Sequence, residues 1–502
     1  MKMTTQSHTR LLASPFATAA LVILPLLSLG FILGRSSHPG MWTPQFIQFN
    51  YKVSERIQAS KSVHIKLPSG VKRHLGLDSL TLPDGRPKYS RHRCVGYHES
   101  PEWVYRKCSF HNVCYNYKAR GMYYYVDPAF RWPQVFPVDQ PPQTSFFSPY
   151  VAYKTNAMSG EGINPEADVW AVNNTFPESY WNVSYVPGIS AIYHPVSENF
   201  NMGHYLLDDV YSIFDLLQAF ELLHSPKRVQ IISNLPCTAV SDAATRRTCQ
   251  KFSDSFWRGI SDQEVMGFEG IKAKYGGQGD IVCFEQLLIG TGNSGCIAGK
   301  HSQTIRYSRA ASLWEFRNSL LRGLRIDPLR VPTEHLILIF RKSGRRGLHN
   351  VDEIFAAIRK EKRYEGLSVR VLENVEDMPI RDQLELTTRS TVVVSPPGGA
   401  SSLFFFLPRG AHLIVADYWY LNATSPTTRV GTTQHMDDSL WDFITHIKTQ
   451  YYDVREGEYF IPPGLDPTDN RVLRDDSEVI LNLDRLFLLI DAALFDMSLP
   501  KS

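Results

Sequence analysis

Thr391 to Trp419 read TVVVSPPGGASSLFFFLPRGAHLIVADYW: strand, glycine turn, short helix and strand in under thirty residues. The β-branched run Thr391–Val394 does not alternate with polar residues, as expected of a parallel strand buried on both faces. It runs into the turn Pro396-Pro397-Gly398-Gly399-Ala400-Ser401-Ser402. Gly398, Gly399 and Ala400 leave room for a ligand to approach the backbone, and Ser401 or Ser402 can cap the helix that follows. Amides at that helix N-terminus suit an anion such as a diphosphate. Leu403 to Leu407 then form an apolar helix, Pro408 and Gly410 stop it, and His412 to Asp417 is a second buried strand ending in a carboxylate. Open parallel sheets bind ligands at such strand ends. An α/β core turn without a ligand would use the same residue types.

Outward from this block, the pattern alternates. His335–Phe340 is an apolar strand, a helix is expected from about Val351 to Lys360, a strand over Ser368–Leu372 and a helix from Ile380 to Thr388. Strands alternating with helices from about 330 to 420 imply a Rossmann-like domain. Further upstream, Val229–Ile232 and Asp280–Phe284 read as strands, the latter followed by the apolar Leu287–Gly290. From Asn199 the apolar residues Leu206, Val210, Ile213, Phe214, Leu217 and Phe220 recur at helix spacing. Residues 94 to about 190, rich in Tyr, Trp and Pro, suggest short strands and loops. The amphipathic Glu478–Phe495 is expected to pack back on the body.

The chain's 24-residue uncharged stretch Leu11–Gly34, preceded by Lys2 and Arg10, is long enough to span a bilayer. We read it as an uncleaved signal anchor rather than a signal peptide, whose apolar region is shorter. The expected organisation is a cytoplasmic tail (1–10), transmembrane anchor (11–34), stem (35–90), acceptor-side domain (91–325), nucleotide-sugar-binding domain (326–455) and a C-terminal tail (456–502). The body would then be lumenal. Sequons at Asn173, Asn182 and Asn422 are compatible with that side of the membrane. None of the seven cysteines forms a C-x-x-C pair, so disulfides are favoured over zinc. Cys108 with Cys114 and Cys237 with Cys249 are nearest neighbours, but spacing alone does not pair them. With 53 basic and 50 acidic residues and no large basic block, a general nucleic-acid binder is excluded.

Two further constellations can carry chemistry. In Asn201-Met202-Gly203-His204-Tyr205-Leu206-Leu207-Asp208-Asp209, His204 and Asp208 are four apart on one helical face, where a carboxylate can orient an imidazole as a general base. A helix cap with a surface His–Asp pair would read the same way. In Arg341-Lys342-Ser343-Gly344-Arg345-Arg346, cations follow a buried strand directly, and guanidinium forks there suit a diphosphate. A solvated basic loop is the alternative.

Taken in order, the N-x-x-H-x-x-x-D helix, Cys283-Phe284-Glu285, Arg341-x-x-x-Arg345-Arg346-x-x-x-Asn350, Gln383 and the glycine turn before a phenylalanine-rich helix resemble glycosyltransferase family 61. The similarity covers roughly 190 to 420. It implies an α/β, GT-B-like fold, two Rossmann-like domains facing a cleft behind the anchor. It also implies a type II membrane protein of the Golgi or endoplasmic reticulum that transfers GlcNAc, xylose or arabinose from a UDP-sugar with inversion, onto a glycan or glycoprotein. The chain departs from the family where a His-Gly-Ala turn is replaced by Gly398-Gly399-Ala400 after Pro397, and where Asp417 stands for a strand-terminal Glu.

On this reading His204 or Asp208 is the base, with Asn201 and Asp209 on the acceptor side. Arg341, Arg345, Arg346, Gly398, Gly399, Ala400, Ser401, Ser402 and Asp417 face the donor. Asn350 is expected to cap the next helix. No D-x-D tripeptide occurs, so no metal is expected and no cofactor beyond the UDP-sugar co-substrate. Two other classes match part of the pattern. One is an acyltransferase with an H-x-x-x-D motif, though no D-F-G-W-G element accompanies it; the other is an inactive membrane-anchored glycan-binding protein.

Overall fold

The computed structural model describes residues 90–95, 107–118, 121–125, 151–152, 166–172, 183–195, 201–223, 229–290, 310–342, 346–373, 375, 377–417, 441, 444–455, 457–466, 472 and 476–498. The expected tail, anchor, nearly all of the stem and the three sequons lie outside the described residues. Among the described residues, no helix is long and apolar enough to cross a membrane. Ser79–Ser502 form one compact unit of mixed α/β structure.

Its first sheet joins β1 (Arg91–Val95), β2 (Lys107–Asn116), β3 (Gly121–Tyr125), β4 (Val151–Ala152), β5 (Glu166–Val172), β6 (Ser184–Tyr193), β7 (Val229–Ser233) and β8 (Ile281–Ile289). The order is β4-β5-β3-β2-β8-β6-β7, with β1 paired to β2, and β8, β6 and β7 run parallel. Asp280–Phe284 and Leu287–Gly290 therefore belong to one strand. Cys283 faces Cys114 on neighbouring strands and forms a disulfide with it, and a second joins Cys237 to Cys249. Strand register overrides sequence proximity for Cys114, 169 residues from its partner. Glu285 accepts the backbone N–H of Gly188 at 2.6 Å, where β6 slips its register against β8.

The second sheet is wholly parallel: β9 (Leu336–Phe340), β10 (Ser368–Leu372), β11 (Val392–Ser395), β12 (His412–Asp417) and β13 (Lys448–Asp453), in the order β10-β9-β11-β12-β13. Strand β13, KTQYYD, is too polar to have been read as a strand, because it is an edge with only Tyr452 buried among its residues. The C-terminal segment opens with a short strand, Glu478–Val479, and its helix spans Leu483–Ser498, later than its apolar pattern suggested. Leu486, Phe487, Ile490 and Ala493 are its buried face.

One core cluster crosses from sheet to sheet. Its centre is the segment expected to be a short apolar helix, whose form is 3-10 and whose span is Gly399–Phe406. Phe404 meets Phe340 edge-on at 5.4 Å, Phe405 meets Phe316 at 5.9 Å and Phe406 stacks on Phe256 at 6.4 Å. Burying each phenylalanine contributes about 1.5–3 kcal/mol, so this plug fastens the two sheets into one body. Its last carbonyls have no helical partner, and basic side chains supply donors. His446 Nε2–H donates to the Phe405 carbonyl at 2.9 Å, Arg317 Nη2 to Phe406 at 2.9 Å and Arg317 Nε to Leu407 at 3.1 Å.

His446 is held neutral there: burial first, then the Arg317 charge, push its pKa down to about 3, against the Phe405 carbonyl, which favours the cation. A free histidine takes up its proton near pH 6.5, so the unfolded chain gains a proton that the folded one refuses. The stability tied to His446 is complete above pH 6.5 and is lost between 6.5 and 3, by about 1.4 kcal/mol per pH unit. Between pH 7 and pH 5 this one group is expected to cost about 2 kcal/mol. Denaturant melts of wild type and His446→Phe at both pH values check it; an equal acid loss in the two proteins would refute it.

Candidate active site

Chain leaving β6 reaches Asn201, whose side-chain Oδ1 accepts the Gly203 N–H at 2.9 Å and starts a helix. That helix is α over Met202–His204, widens to a π-turn over Tyr205–Val210, and returns to α over Tyr211–Ala219. Single π-turns inside helices mark functional sites often enough to draw attention here. All six residues of the turn are buried. Asp208 is fully buried, and its Oδ2 lies 2.7 Å from His204 Nδ1. The pair is thus an oriented imidazole with a buried carboxylate, not a surface pair; His204 keeps 13% of its side chain exposed. Asp209 is close enough to the buried phenols of Tyr193 and Tyr205 to help raise their pKa values, behind desolvation as the larger cause. Asp209 therefore sits toward the interior.

In a parallel sheet of order 2-1-3-4-5, the crevice lies where successive strands leave in opposite directions from the first. Here that point is between β9 and β11, at their C-terminal ends. The loop after β9 brings Lys342 and Arg346; the loop after β11 brings the glycine turn. Gly398 has φ 115°, a conformation for glycine alone. A methyl group there would stand 3.0 Å from the Lys342 ammonium and 3.6 Å from Arg346 Nη1, so two cations cover the turn. Arg346 itself takes a positive φ of 61°, rare for a long side chain and held by its loop. At Gly399 a methyl group would overlap the Asn201 carboxamide, 1.8 Å from its Oδ1. The helix carrying His204 and the glycine turn thus meet with no room for a side chain between them. A cleft of about 550 Å³ opens at this meeting, lined by Asn201, Met202, Thr248, Lys251, Phe252, Lys342, Arg346, Val375, Gly399 and Ala400. A wider hollow of about 700 Å³ lies at the opposite end of the same sheet, beside the first residues of β9 and β10, Leu336 and Ser368. Strand polarity makes the smaller cleft the candidate site.

Other expected residues fall elsewhere. Arg341 is turned outward and ion-paired to Asp352 and, at 3.0 Å, to Glu373. Arg345 lies outside the described residues. Ser401 and Ser402 are fully buried and bond the turn to itself, through the carbonyls of Pro396 and Gly399. Neither caps the 3-10 helix, whose N-cap position belongs to Gly398. Asp417 ends β12 opposite Asp453. Asn350 holds the N-cap position of the helix Val351–Lys360, its carbonyl accepting the Ile354 N–H at 3.0 Å, but its side chain makes no cap bond: Nδ2 donates to Glu353 and to the Leu481 carbonyl, and Oδ1 accepts the Leu481 N–H. It ties the C-terminal segment to the loop behind Arg346.

Lys342 was overlooked beside the arginines of its own run. Lys251, Thr248 and Phe252 carried no signal at all, because they share a face of an ordinary amphipathic helix, Ala243–Phe256. Gln383 is buried and donates to the Val375 and Met378 carbonyls at 2.6 and 2.8 Å, shaping a wall of the cleft.

The family model described as Glycosyltransferase 61 matches residues 202–414. No curated protein matches the chain. Among solved structures, similarity is found to the bacterial iron-containing dodecameric glycosyltransferase TibC from enterotoxigenic E. coli H10407. Identity is 11% and the TM-score 0.28, over 63% of this chain and 78% of that one.

Proposed function

We propose, on the match of residues 202–414 to the glycosyltransferase 61 family model, that this chain is an inverting glycosyltransferase of GT-B-like architecture. It moves GlcNAc, xylose or arabinose from a UDP-sugar to a hydroxyl of a glycan or glycoprotein. One observation carries this reading: the His204–Asp208 helix and the cation-covered glycine turn meet at Asn201 and Gly399, at the switch point of a parallel sheet.

The UDP diphosphate lies along Gly398 and Gly399 under Lys342 and Arg346, with the sugar toward Asn201. Asp208 holds the His204 Nδ1–H, leaving Nε2 to take the acceptor hydroxyl's proton. The acceptor oxygen attacks the anomeric carbon from the face opposite the diphosphate. The bond to UDP breaks with its electron pair leaving on UDP, where Lys342 and Arg346 stabilise the charge. One displacement inverts the anomeric centre. No D-x-D tripeptide is present to clamp a metal, and we assign neither metal nor cofactor to the step. The proposed address is the Golgi or endoplasmic reticulum membrane, single-pass, with the body lumenal. Its support is the uncharged stretch Leu11–Gly34 and the disulfides Cys114–Cys283 and Cys237–Cys249, which persist in oxidising compartments.

Thermal unfolding of the purified protein with UDP, UDP-GlcNAc, UDP-xylose, UDP-arabinose and coenzyme A tests this. A ligand at a hundredfold excess over its dissociation constant adds about 2.7 kcal/mol of stability. Stabilisation by UDP compounds that is lost in Arg346→Ala is expected. Silence toward every UDP compound, or a response to coenzyme A alone, would overturn the assignment.

A further inference from the structure

The loop that carries Lys342 and Arg346 is held from behind by residues far along the chain. Gly347, next to Arg346, accepts the Val479 N–H at 2.9 Å, and His349 donates its own N–H to the Val479 carbonyl at 2.8 Å. Asn350 adds a third rung with its side chain: Oδ1 accepts the Leu481 N–H and Nδ2 donates to the Leu481 carbonyl, both at 2.9 Å and across 131 residues of sequence. His349 Nδ1 lies 2.8 Å from the Glu478 carboxylate, and its ring stacks on Phe460 at 4.1 Å. The short strand Glu478–Val479 is paired on its other edge to Tyr459–Phe460, and Leu348, Val479 and Leu481 share one core. Gly347 stands where these parts touch: a methyl group there would lie 3.2 Å from the Lys342 carbonyl and 3.5 Å from Glu478 Oε1. Gly347–Asn350 is thus fastened to the C-terminal segment. Immediately before it, Arg346 holds its φ of 61°, which a long side chain keeps only where its surroundings impose it.

We propose that Asn350 is a positioning residue for the donor: through it the C-terminal segment Glu478–Leu481 imposes the Arg346 backbone and sets the guanidinium over the glycine turn, so that docking of this segment and binding of UDP strengthen each other. Released from the segment, Arg346 would relax to the negative φ open to a long side chain, and its guanidinium would leave the turn. A ligand that needs Arg346 in place binds the docked form more tightly, and by linkage it holds the segment down by the same factor. A carboxamide suits this role because it offers a donor and an acceptor together, matching both backbone groups of Leu481. The inference rests on the donor-site reading above, and its test separates the two.

Two measurements on the full-length protein test it. In the first, UDP is titrated calorimetrically into wild type, Asn350→Ala, Arg346→Ala and the double variant, each shown by urea unfolding to be folded under the assay conditions. Asn350→Ala is expected to weaken UDP about tenfold. In the Arg346→Ala background the same change should cost about twofold or less, because the group it positions is gone. In the second, amide hydrogen exchange of wild type is followed with and without saturating UDP. The N–H groups of His349, Val479 and Leu481 are expected to exchange several-fold more slowly with UDP bound. This arm needs no variant, so it decides the matter even if Asn350→Ala fails to fold. If Asn350→Ala binds UDP as wild type does while Arg346→Ala does not, the proposal fails and the donor site stands. It fails likewise if the Asn350→Ala loss is undiminished without Arg346, or if UDP leaves exchange at Val479 and Leu481 unchanged. If wild type does not bind UDP, the donor-site reading falls and takes this inference with it.

Discussion

Asp208→Asn is expected to lower kcat/KM for sugar transfer by about 10²- to 10⁴-fold, the range lost when a positioned general base is disabled, while UDP affinity stays near that of wild type. The argument is one of geometry and tautomer. Asp208 Oδ2 lies 2.7 Å from His204 Nδ1 and the carboxylate is fully buried, so nothing but His204 and its protein neighbours sets its role. A carboxylate only accepts, which fixes the neutral imidazole with its proton on Nδ1 and its lone pair on Nε2. Asparagine has nearly the same volume but can turn its amide N–H toward Nδ1, favouring the opposite tautomer and leaving Nε2 protonated. Packing is preserved and the base is not. Asp208 belongs to the helix after β6 and the cations at the glycine turn to the loop after β9, so binding and turnover should separate. Steady-state kinetics with calorimetric UDP binding check this. A kcat/KM within about threefold of wild type would remove the His204–Asp208 pair from the mechanism.

Arg317→Leu is expected to destabilise the fold by about 2–3 kcal/mol, from the buried carbonyls of Phe406 and Leu407 and the part-buried one of Pro328 losing their donor at roughly 1 kcal/mol each. Two effects compete. Arg317 is 1% exposed, and desolvation pushes its pKa down to about 10, so burying the cation has a real cost that leucine avoids. Where both partners of a buried pair are replaced by apolar groups, that saving can win. Here, beside the Asn318 Oδ1, the partners are the backbone carbonyls of Phe406, Leu407 and Pro328, which no substitution removes. The orphaned acceptors therefore outweigh the saving. Two of these carbonyls, those of Phe406 and Leu407, terminate the 3-10 helix whose phenylalanines join the two sheets, so the loss should appear in one cooperative transition rather than as local loosening. Urea unfolding at neutral pH measures it, and a loss below about 1 kcal/mol would show that the helix end finds other donors.

Much of the parallel half was legible as sequence. Val351–Lys360 and Ser368–Leu372 coincide with the structure, and Leu336–Phe340 and His412–Asp417 lie within a residue of their expected bounds. They are strongly periodic, or continuously apolar and bounded by Gly or Pro. The glycine turn was legible because Gly398 has a backbone that only glycine adopts freely. The 3-10 form of the phenylalanine helix was not, since Leu403–Leu407 is apolar all round and its geometry is set by three different partners, Phe340, Phe316 and Phe256. Among the cations, a run of four basic residues in six positions does not say which side chain turns inward. Arg341 finds Asp352 and Glu373 outside, and Lys342 reaches the Pro397 carbonyl inside.

The sequence by itself determined the elements: the β-branched runs, the breakers between them, the His204–Asp208 spacing and the glycines that admit a close approach. These are local properties, set by backbone sterics and side-chain period within a few residues. Tertiary structure alone decided the rest. The order β10-β9-β11-β12-β13 chose which strand ends form the crevice, and strand register joined Cys114 to Cys283. Packing brought Asn201 against Gly399 and turned Lys251 from an unremarked helix toward the cleft. Contacts between residues far apart in sequence depend on which apolar faces find each other, and that information belongs to no single segment of the chain.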